Sequence, residues 1–354
     1  MTQGCQVLIN ATPSTALVQP ARAVVTEAVG ASTTYALFYD FHIGAGDYPL
    51  LLEPGLGPES ELAIRVADGS AGSAVLVSGP VTHQRIGIVN GGSGSVLEVV
   101  GADFLIGLAR ETKVVVWPKT TDSATVSSVL DGVPVDSNVV IESEASHDDT
   151  KHALVQRESD LHLIRRLARR NGCWIWVEYD PTTLARKVRV ERPPVDASPM
   201  FDLFIAGPNS NIDGVDIFWD VERVVSTDAT ARDVFGATDI DGATARSPLT
   251  GLARHALADI VKNTRKARLS MPVDEAGELV ARSEAALIEE GWFVRVNVTV
   301  SARRLKGVVR AHTVVALHGA GTRHSGHYLV SRVVHRIDDV DHWMDVTLIR
   351  NGWN

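Results

Sequence analysis

The chain has 354 residues, of which 45% are hydrophobic and 22% are charged, as is ordinary for a globular protein. This length predicts two or three domains with a sizeable core. The formal net charge of −9 argues against a nucleic-acid-binding protein with a broad basic surface. No apolar run approaches the roughly 20 residues that span a bilayer, and we expect no secretory signal. The only cysteines, Cys5 and Cys173, lack metal-type spacing and fit a reducing compartment, so assembly in the cytosol is expected.

The first part of the chain predicts a compact β domain. Residues 1 to about 20 are expected to form a loose leader. Residues 61–67 then alternate between polar and apolar side chains, with Leu62, Ile64 and Val66 on one face. The turn at 90–94 is rich in glycine and precedes another apolar run at 96–100. A short helix is predicted at 103–110. The spacing of these runs is typical of a sandwich or a barrel.

The middle of the chain predicts two helices and a hairpin. Thr121 is a candidate helix start, and Ser159 is a candidate N-cap for a second helix. Asn171-Gly172 predicts the end of that second helix. A strand at 173–179 and a returning strand at 187–191 complete a helix–hairpin unit. The whole chain therefore predicts a β-rich α+β fold.

The last part of the chain predicts loops followed by more strands. Residues 226–270 are rich in Ala, Asp, Thr and Gly, so we expect long loops there, with a helix around Leu249 to Val261. A second helix is predicted from about Asp274 to Glu290. After it, alternate valines from Val294 to Val300 predict an amphipathic strand. Further strands are predicted at 308–317, 328–335 and 343–349.

The sequence contains no complete catalytic or phosphate-binding motif. Six histidines lie near the C-terminus: His312, His318, His324, His327, His335 and His342. His324 and His327 bracket a Ser-Gly turn and are candidates for a shared metal, although tighter ligand pairs are usual in metal sites. The interpretation we favour is polar positions on strands and loops. His147 and His152, five residues apart, are expected to be solvated.

Several charged and aromatic residues admit two interpretations. Candidate acid–base carboxylates are Glu142, Glu144, Asp338, Asp339 and Asp341, but ordinary surface charge is favoured because acid–base catalysis needs positioned geometry. The arginines Arg165, Arg166, Arg169 and Arg170 either bind phosphate or cover the solvent face of an amphipathic helix, and we favour the latter. Trp174 and Trp176 either stack on a sugar ring or pack in a core or interface, and packing is favoured.

Two stretches of the sequence resemble a known family. The first runs Val155-Gln156-Arg157-Glu158-Ser159-Asp160-Leu161, then Leu167-Ala168 and Asn171-Gly172-Cys173-Trp174. The second comprises Gly307-Val308-Val309, Gly326-His327-Tyr328-Leu329-Val330, Val334-His335-Arg336-Ile337-Asp338 and Leu348-Ile349-Arg350-Asn351. In this order they resemble segments of the phage late control gene D and VgrG baseplate hub proteins. Val99-Val100-Gly101-Ala102-Asp103 is similar more loosely.

This resemblance implies a homotrimer in which each subunit carries two tube-like β-barrel domains with a mixed α/β region between them. The implied boundaries are 1–110 for the first barrel, 111–190 for the α/β middle domain, and 191–225 with 291–354 for the second barrel. Residues 226–290 form a loop and helical insertion. Three subunits would present six barrels, which lets a sixfold tube meet a threefold spike. Because the chain ends at Asn354, directly after the second barrel, the spike is expected to be a separate protein.

The function implied is a structural, non-enzymatic baseplate hub of a contractile phage tail or injection system. Expected partners are the separate spike protein, the inner tube or tube-initiator protein, the tape measure protein and other baseplate components. We expect no cofactor, no catalytic or metal site, no membrane span and no specific nucleic-acid binding. The isolated chain is expected to form trimers or to aggregate through unpaired barrel surfaces. The alternatives are a tail-tip cell-wall hydrolase and a carbohydrate-binding module.

Overall fold

The computed structural model describes residues 4–10, 12–13, 19–43, 46–69, 72–90, 93–150, 153–232, 239–270, 273 and 276–354. Strands and large antiparallel sheets dominate it, which confirms the predicted β-rich α+β fold class. The N-terminal β region contains seven strands: β1 (Gln6–Ile9), β2 (Thr12–Pro13), β3 (Arg22–Ala28), β4 (Thr34–Phe41), β5 (Glu61–Asp68), β6 (Gly72–Gly87) and β7 (Ser95–Ala102). Short 3₁₀ helices lie at Pro49–Leu52, Pro54–Leu56 and Phe104–Ala109.

The middle region alternates strands with two helices. Its elements are β8 (Thr112–Trp117), β9 (Thr120–Thr121), α1 (Asp122–Leu130), β10 (Asp136–Val139), β11 (Ser146–His147), β12 (Leu154–Ser159), α2 (Asp160–Arg170), β13 (Trp174–Tyr179) and β14 (Arg186–Glu191). The predicted caps are confirmed, because the Thr121 hydroxyl accepts from Ala124 N and the Ser159 hydroxyl accepts from His162 N. The apolar face of α2 packs into a core of its own with α1 and the β13–β14 hairpin.

The C-terminal β region supplies the remaining elements. They are β15 (Phe201–Phe204), β16 (Ile212–Trp219), β17 (Val224–Arg232), β18 (Asp239–Asp241), α3 (Leu257–Ile260), β19 (Arg265–Ser270), α4 (Ala276–Glu290), β20 (Val294–Ser301), α5 (Ala302–Leu305), β21 (Val314–His318), α6 (Gly321–His324), β22 (Gly326–Ile337) and β23 (His342–Arg350). Along β20 the valines at 294, 296, 298 and 300 are buried while Arg295, Asn297 and Thr299 are exposed, as the alternation predicts.

One sheet joins the two β regions. Strand β22 pairs antiparallel with β3, from Arg332 opposite Ala28 to Ile337 opposite Ala23. The sheet then runs in the order β16-β20-β23-β22-β3-β4-β7-β6, and every neighbouring pair in that run is antiparallel. One hydrophobic cluster contains residues of both regions, such as Leu37 and Val346. The two regions therefore share hydrogen bonds and a core, while the division into two barrel domains stays a prediction.

Strand β6 carries the chain from one sheet layer into another. Its first half pairs with β5 as far as Pro80, and its second half pairs with β7 from Val81 onward, with a register shift between Val81 and His83. Gly79 lies at this switch, where a Cβ atom would collide with the backbone of Ala102 and Asp103. The bend is possible because glycine allows that close approach of two backbones.

The structure differs from the sequence prediction at three places, and one of them is the strand predicted at 308–317, of which only β21 from Val314 onward is a strand. The expected N-terminal leader contains β1, which pairs with β5 and buries Val7 and Leu8. Residues 226–270, predicted as loops, contain the sheet β18-β17-β19, and the helix expected near Leu249–Val261 is limited to α3. Strand β17 buries Thr227, Ala229 and Ala231, small residues that give a weak hydrophobic period. Asp274, the expected start of α4, lies outside the described residues.

Candidate interaction surfaces

The eight neighbouring strands from β16 to β6 in the shared sheet, called here the eight-stranded run, have one buried and one polar face. On the polar face of β20, β22 and β23, Arg336 donates to Asp345 over 2.8 Å, and Thr299 donates to the same carboxylate over 2.8 Å. The Thr347 hydroxyl donates to Asn297 over 3.1 Å. Cross-strand pairs of this kind order side chains on a solvated sheet face. This surface therefore presents positively and negatively charged side chains in a fixed arrangement.

Large apolar side chains are exposed at the edges of the sheets. At the β6 end of the run, Ile86 is 46% exposed and Ile88 is 56% exposed. At the β16 end, Phe218 is 59% exposed and Trp219 is 49% exposed. Strand β8 exposes Val114 to 78% and pairs only with β12 in the described part of the chain. Clustered exposed apolar residues mark contact surfaces more often than isolated ones do.

A buried polar cluster lies where the N-terminal and C-terminal β regions meet. The guanidinium of Arg310 donates from Nε to Glu27 Oε1 over 2.6 Å, and Ala311 N donates to Glu27 Oε2 over 3.0 Å. His335 Nε2 lies 3.3 Å from Glu27 Oε1, and His335 Nδ1 lies 3.0 Å from His342 Nε2. Burial raises the pKa of Glu27, but the charge of Arg310 and the His335 hydrogen bond outweigh it and lower that pKa to about 2. Glu27 is therefore an ionised, fully paired carboxylate.

The C-terminal histidines occupy several separate environments. His335 and His342 are buried in the cluster just described, and burial is the main reason that the pKa of each is lowered. His318 Nε2 lies 2.7 Å from Asp202 Oδ1, and the His312 ring stacks on Trp176 at 4.6 Å. Among the described residues no group of three or more His, Cys, Asp or Glu is arranged to hold a metal ion.

The candidate acid–base carboxylates lie in turns and ion pairs. Glu142 forms an ion pair with Arg192 over 3.0 Å. Asp338 Oδ1 accepts from the backbone N–H groups of Val340 and Asp341, which closes the turn between β22 and β23. The Ser301 hydroxyl donates to both carboxylate oxygens of Asp341 over 3.1 Å. Glu142, Asp338 and Asp341 thus each have a structural contact within the chain.

A second buried polar cluster lies in the middle region and was not predicted from the sequence. His147 Nε2 lies 2.8 Å from Asp122 Oδ1, Arg170 Nε donates to Asp122 Oδ2 over 2.6 Å, and Asn171 Nδ2 donates to the same oxygen over 2.6 Å. His147 is thus buried, and its expected solvation is wrong; His152 lies outside the described residues. The signal in the sequence was Asp122 in the first turn of the predicted helix α1. An acidic side chain is favoured at that position by the helix dipole.

The remaining arginines of α2 also have partners within the chain. Arg166 donates to Glu158 over 2.6 Å, Arg169 pairs with Glu289, and Arg165 donates to Ser32 over 2.8 Å. Arg166 and Arg169 are exposed, in agreement with the predicted solvent face, while Arg165 and Arg170 are partly buried and tie α2 to neighbouring elements. Trp174 packs 5.8 Å from Trp292, and Trp176 stacks on His312, which supports packing over sugar stacking for both rings.

A family model described as the Alg8 N-terminal domain matches residues 3–339. The chain belongs to this family. Among curated proteins, none matches the chain in sequence. No helix in the described ranges is both long and apolar enough to cross a membrane.

Solved structures of tail proteins share the fold of this family member over its whole length. A tail protein from Neisseria meningitidis is 14% identical, with a TM-score of 0.67 over 99% of this chain and 97% of that one. The 43 kDa tail protein of prophage MuSo2 from Shewanella oneidensis is 13% identical, with a TM-score of 0.65 over 98% of both chains. An E. coli component of the type VI secretion system is 12% identical, with a TM-score of 0.58 over 98% of this chain and 76% of that one. At these identities the likeness shows the fold.

Proposed function

We propose that the chain is a structural hub protein of a contractile phage tail-like particle, of the late control gene D and VgrG type. The observation that carries this proposal is similarity of fold, over nearly the whole of this chain, to two tail proteins, one of them from a prophage, and to a type VI secretion component. The fold is similar over nearly the whole length of both tail proteins, which favours a common role more strongly than similarity of a single domain would. A fold alone can host several functions, so the role itself needs a test.

The role is that of an adaptor between a sixfold inner tube and a threefold spike. A homotrimer presents two β regions per subunit and so offers six similar contacts on one side and three on the other. The sheet and core that join the two β regions support this role, because both contacts then sit on one rigid body. The partners are a separate spike protein, the inner tube or tube-initiator protein, the tape measure protein and other baseplate components. The site of action is the baseplate, assembled in the bacterial cytoplasm.

The role is mechanical and not enzymatic. The candidate carboxylates Glu142, Asp338 and Asp341 are engaged in ion pairs and turns, which supports a structural interpretation of the acidic residues. The hydrolase and carbohydrate-binding alternatives keep no specific observation in their favour, because the two tryptophans pack within the chain.

The test is the mass of the protein in solution, measured by light scattering with and without the spike protein encoded in the same particle. A trimer that binds one spike trimer is the expected result. A spike from an unrelated particle is the control for non-specific association. A stable monomer that ignores both the spike and the tube protein contradicts the proposal, and glycan-binding and cell-wall degradation assays then become the relevant measurements.

A further inference from the structure

A cavity of about 540 Å³ is lined by both the middle region and the C-terminal β region. Residues of α2 and β13 form one part of its wall, and residues of α4, β20 and β23 form another. Cavities of roughly 300–1,000 Å³ are of the size in which proteins usually bind small molecules. A structural adaptor has no need of such a cavity, so the residues of its wall need a separate explanation.

Arginines dominate the charge of this cavity. Its described wall contains four arginines and one carboxylate, namely Arg165, Arg169, Arg223, Arg295 and Glu289. The chain as a whole has a net charge of −9, so this positive region stands apart from the rest of the molecule. Low-dielectric walls that carry one sign of charge focus the electric field and concentrate ions of the opposite sign. The cavity therefore favours a negatively charged ligand.

Two of the four arginines are not neutralised by an ion pair. Arg169 and Arg223 pair with acidic side chains of α4. Arg165 and Arg295 have no carboxylate within ion-pairing distance in the part of the chain that the structure describes. Burial lowers the pKa of Arg165, and the charge of Asp103 offsets only part of that effect. A partly buried guanidinium without an ion-pair partner is the group that an anionic ligand stabilises most.

Two N–H donors in the cavity wall lack a described acceptor. They are Arg165 Nε and Trp292 Nε1, and both atoms are buried. The Arg165 guanidinium donates to the Ser32 hydroxyl from Nη2 over 2.8 Å, which leaves its other N–H groups for a ligand. Buried donors without an acceptor are unfavourable, and native proteins satisfy most of them. A carboxylate or phosphate group that enters between these side chains would supply the acceptor oxygens.

The rest of the cavity wall is largely aromatic and apolar. Trp174 and Trp292 both line the cavity, with ring centroids 5.8 Å apart, and both are only half-buried. Ile349 lies directly across from Arg295 in the β20–β23 ladder, which places an apolar side chain beside a charged one. Indole rings bind aromatic groups through stacked or edge-to-face contacts. The cavity therefore suits a molecule that combines an acidic group with an aromatic body.

We propose that this cavity is a binding site for a small organic anion, in which Arg165 and Arg295 hold the acidic group and the two tryptophans contact an aromatic body. Arginine suits this role because its guanidinium can bind a carboxylate or phosphate through two parallel hydrogen bonds. Phosphate binding was one of the two interpretations of Arg165 that its sequence allowed, and the fold adds the enclosing wall. The site is separate from the proposed hub function and does not depend on it.

The first test measures which chemistry the cavity recognises, by isothermal titration calorimetry on the full-length chain at pH 7. The probe is 1-naphthyl phosphate, which carries both an acidic group and an aromatic body. Inorganic phosphate has the acidic group alone, and 1-naphthol has the aromatic body alone. One molecule of naphthyl phosphate is expected to bind per chain, and each comparison probe is expected to bind at least about tenfold more weakly, because it makes only part of the contacts.

The second test locates the bound probe. Arg295→Gln is expected to weaken the binding of naphthyl phosphate about tenfold, because it removes a charged hydrogen-bond donor, and to leave the binding of naphthol unchanged. Arg295 is exposed, so this variant should fold, and Arg295→Lys keeps the charge and should recover part of the affinity. Arg85→Gln makes the same change at an exposed position on β6, outside the cavity, and is the matched control.

Arg165→Gln is expected to weaken binding at least as much as Arg295→Gln. It also removes the hydrogen bond to Ser32, so its melting temperature is measured beside its affinity. Naphthyl phosphate that binds no more tightly than both comparison probes overturns the site. Equal losses in Arg85→Gln and Arg295→Gln also overturn it, because net charge alone would then attract the probe. A folded double variant, Arg165→Gln with Arg295→Gln, that keeps the wild-type affinity places the probe elsewhere. None of these results bears on spike binding, which tests the hub function.

Discussion

Arg310 Nε donates to Glu27 Oε1 over 2.6 Å, although the two residues are 283 positions apart in the chain. The same guanidinium donates from Nη1 to Val75 O over 2.9 Å and from Nη2 to Leu76 O over 3.1 Å. One side chain from the C-terminal β region thus contacts both β3 and β6 of the N-terminal one. The two regions are held together by this buried ion pair as well as by the β22–β3 ladder.

Glu27→Ala is expected to lower the free energy of unfolding by about 3 kcal/mol or more, because it leaves the partly buried Arg310 without its carboxylate partner and the buried His335 without its acceptor on Glu27. Denaturant unfolding followed by fluorescence and circular dichroism measures the loss. Glu111→Ala, at an exposed position before β8, is the control and is expected to change stability by less than about 0.5 kcal/mol. Equal stability of both variants would show that the ion pair does not hold the two regions together.

Stability is expected to fall as the pH drops from 7 to 5. Burial lowers the pKa of His312 to about 4, and burial followed by the nearby charge of His335 lowers that of His342 to about 3. Both imidazoles are neutral in the folded chain, whereas the unfolded chain takes up protons near pH 6.5, so their stabilisation is present above pH 6.5 and is lost below it.

The expected loss between pH 7 and pH 5 is at least about 2 kcal/mol of unfolding free energy, measured by denaturant titration at each pH. Glu27, with its pKa at about 2, stays ionised in this window and adds its own loss only below pH 4.5. His312→Asn should reduce the pH dependence, and asparagine tolerates the left-handed backbone at that position, where φ is 65°. An unchanged slope in this variant would mean that His312 does not supply the effect.

Local sequence patterns predicted those helices and strands in which buried and exposed side chains alternate with a regular period. The valines of β20 and the capped helix α2 could be placed because alternation and an N-cap serine are local signals. Strand β17 could not, since it is held by Thr227 and small alanines packed on α4. The ladder between β22 and β3 joins segments some 300 residues apart and leaves no local trace.

Gly79→Ala is expected to prevent correct folding, because the added Cβ would collide with the backbone of Ala102 and Asp103 where β6 changes sheets. Soluble yield and melting temperature measure the effect. Gly87→Ala, on the same strand, is the matched control: its Cβ would meet only Val96 O at 3.8 Å. A fully stable Gly79→Ala variant would mean that the bend of β6 has room that the structure does not show.

Asp122→Ala is expected to cost about 3 kcal/mol of unfolding free energy, since it leaves Arg170 and His147 without their shared carboxylate in a buried place. Burial raises the pKa of Asp122, but the hydrogen bonds from His147 and Arg170 outweigh it and hold that pKa well below its usual range. Asp131→Ala, at the exposed end of the same helix, is the control and should be nearly neutral. Equal effects of both changes would contradict a structural role for the cluster.

The candidate site was less predictable than the fold for a physical reason. The buried clusters around Glu27 and Asp122 draw residues from distant segments, so neither forms a motif in the sequence. His147 was expected to be solvated because its spacing of five from His152 does not place both histidines on one helix face, but the fold turns its ring inward onto Asp122. Open strand edges are likewise a property of sheet order, which sequence alone does not specify.

Trp176→Ala separates a packing role from sugar binding. The Trp176 ring stacks on His312 with centroids 4.6 Å apart and planes 10° apart, and its Nε1 donates to Glu178 over 3.4 Å. Because one ring face is covered, the variant is expected to lose about 1–2 kcal/mol of unfolding free energy and to change no glycan binding. Unfolding titrations and a glycan array with the wild type and the variant measure both quantities, and Trp176→Phe should recover most of the stability. Glycan binding by the wild type that disappears in a fully stable Trp176→Ala protein would instead favour the carbohydrate-binding alternative, since the ring would then serve a ligand and not the fold.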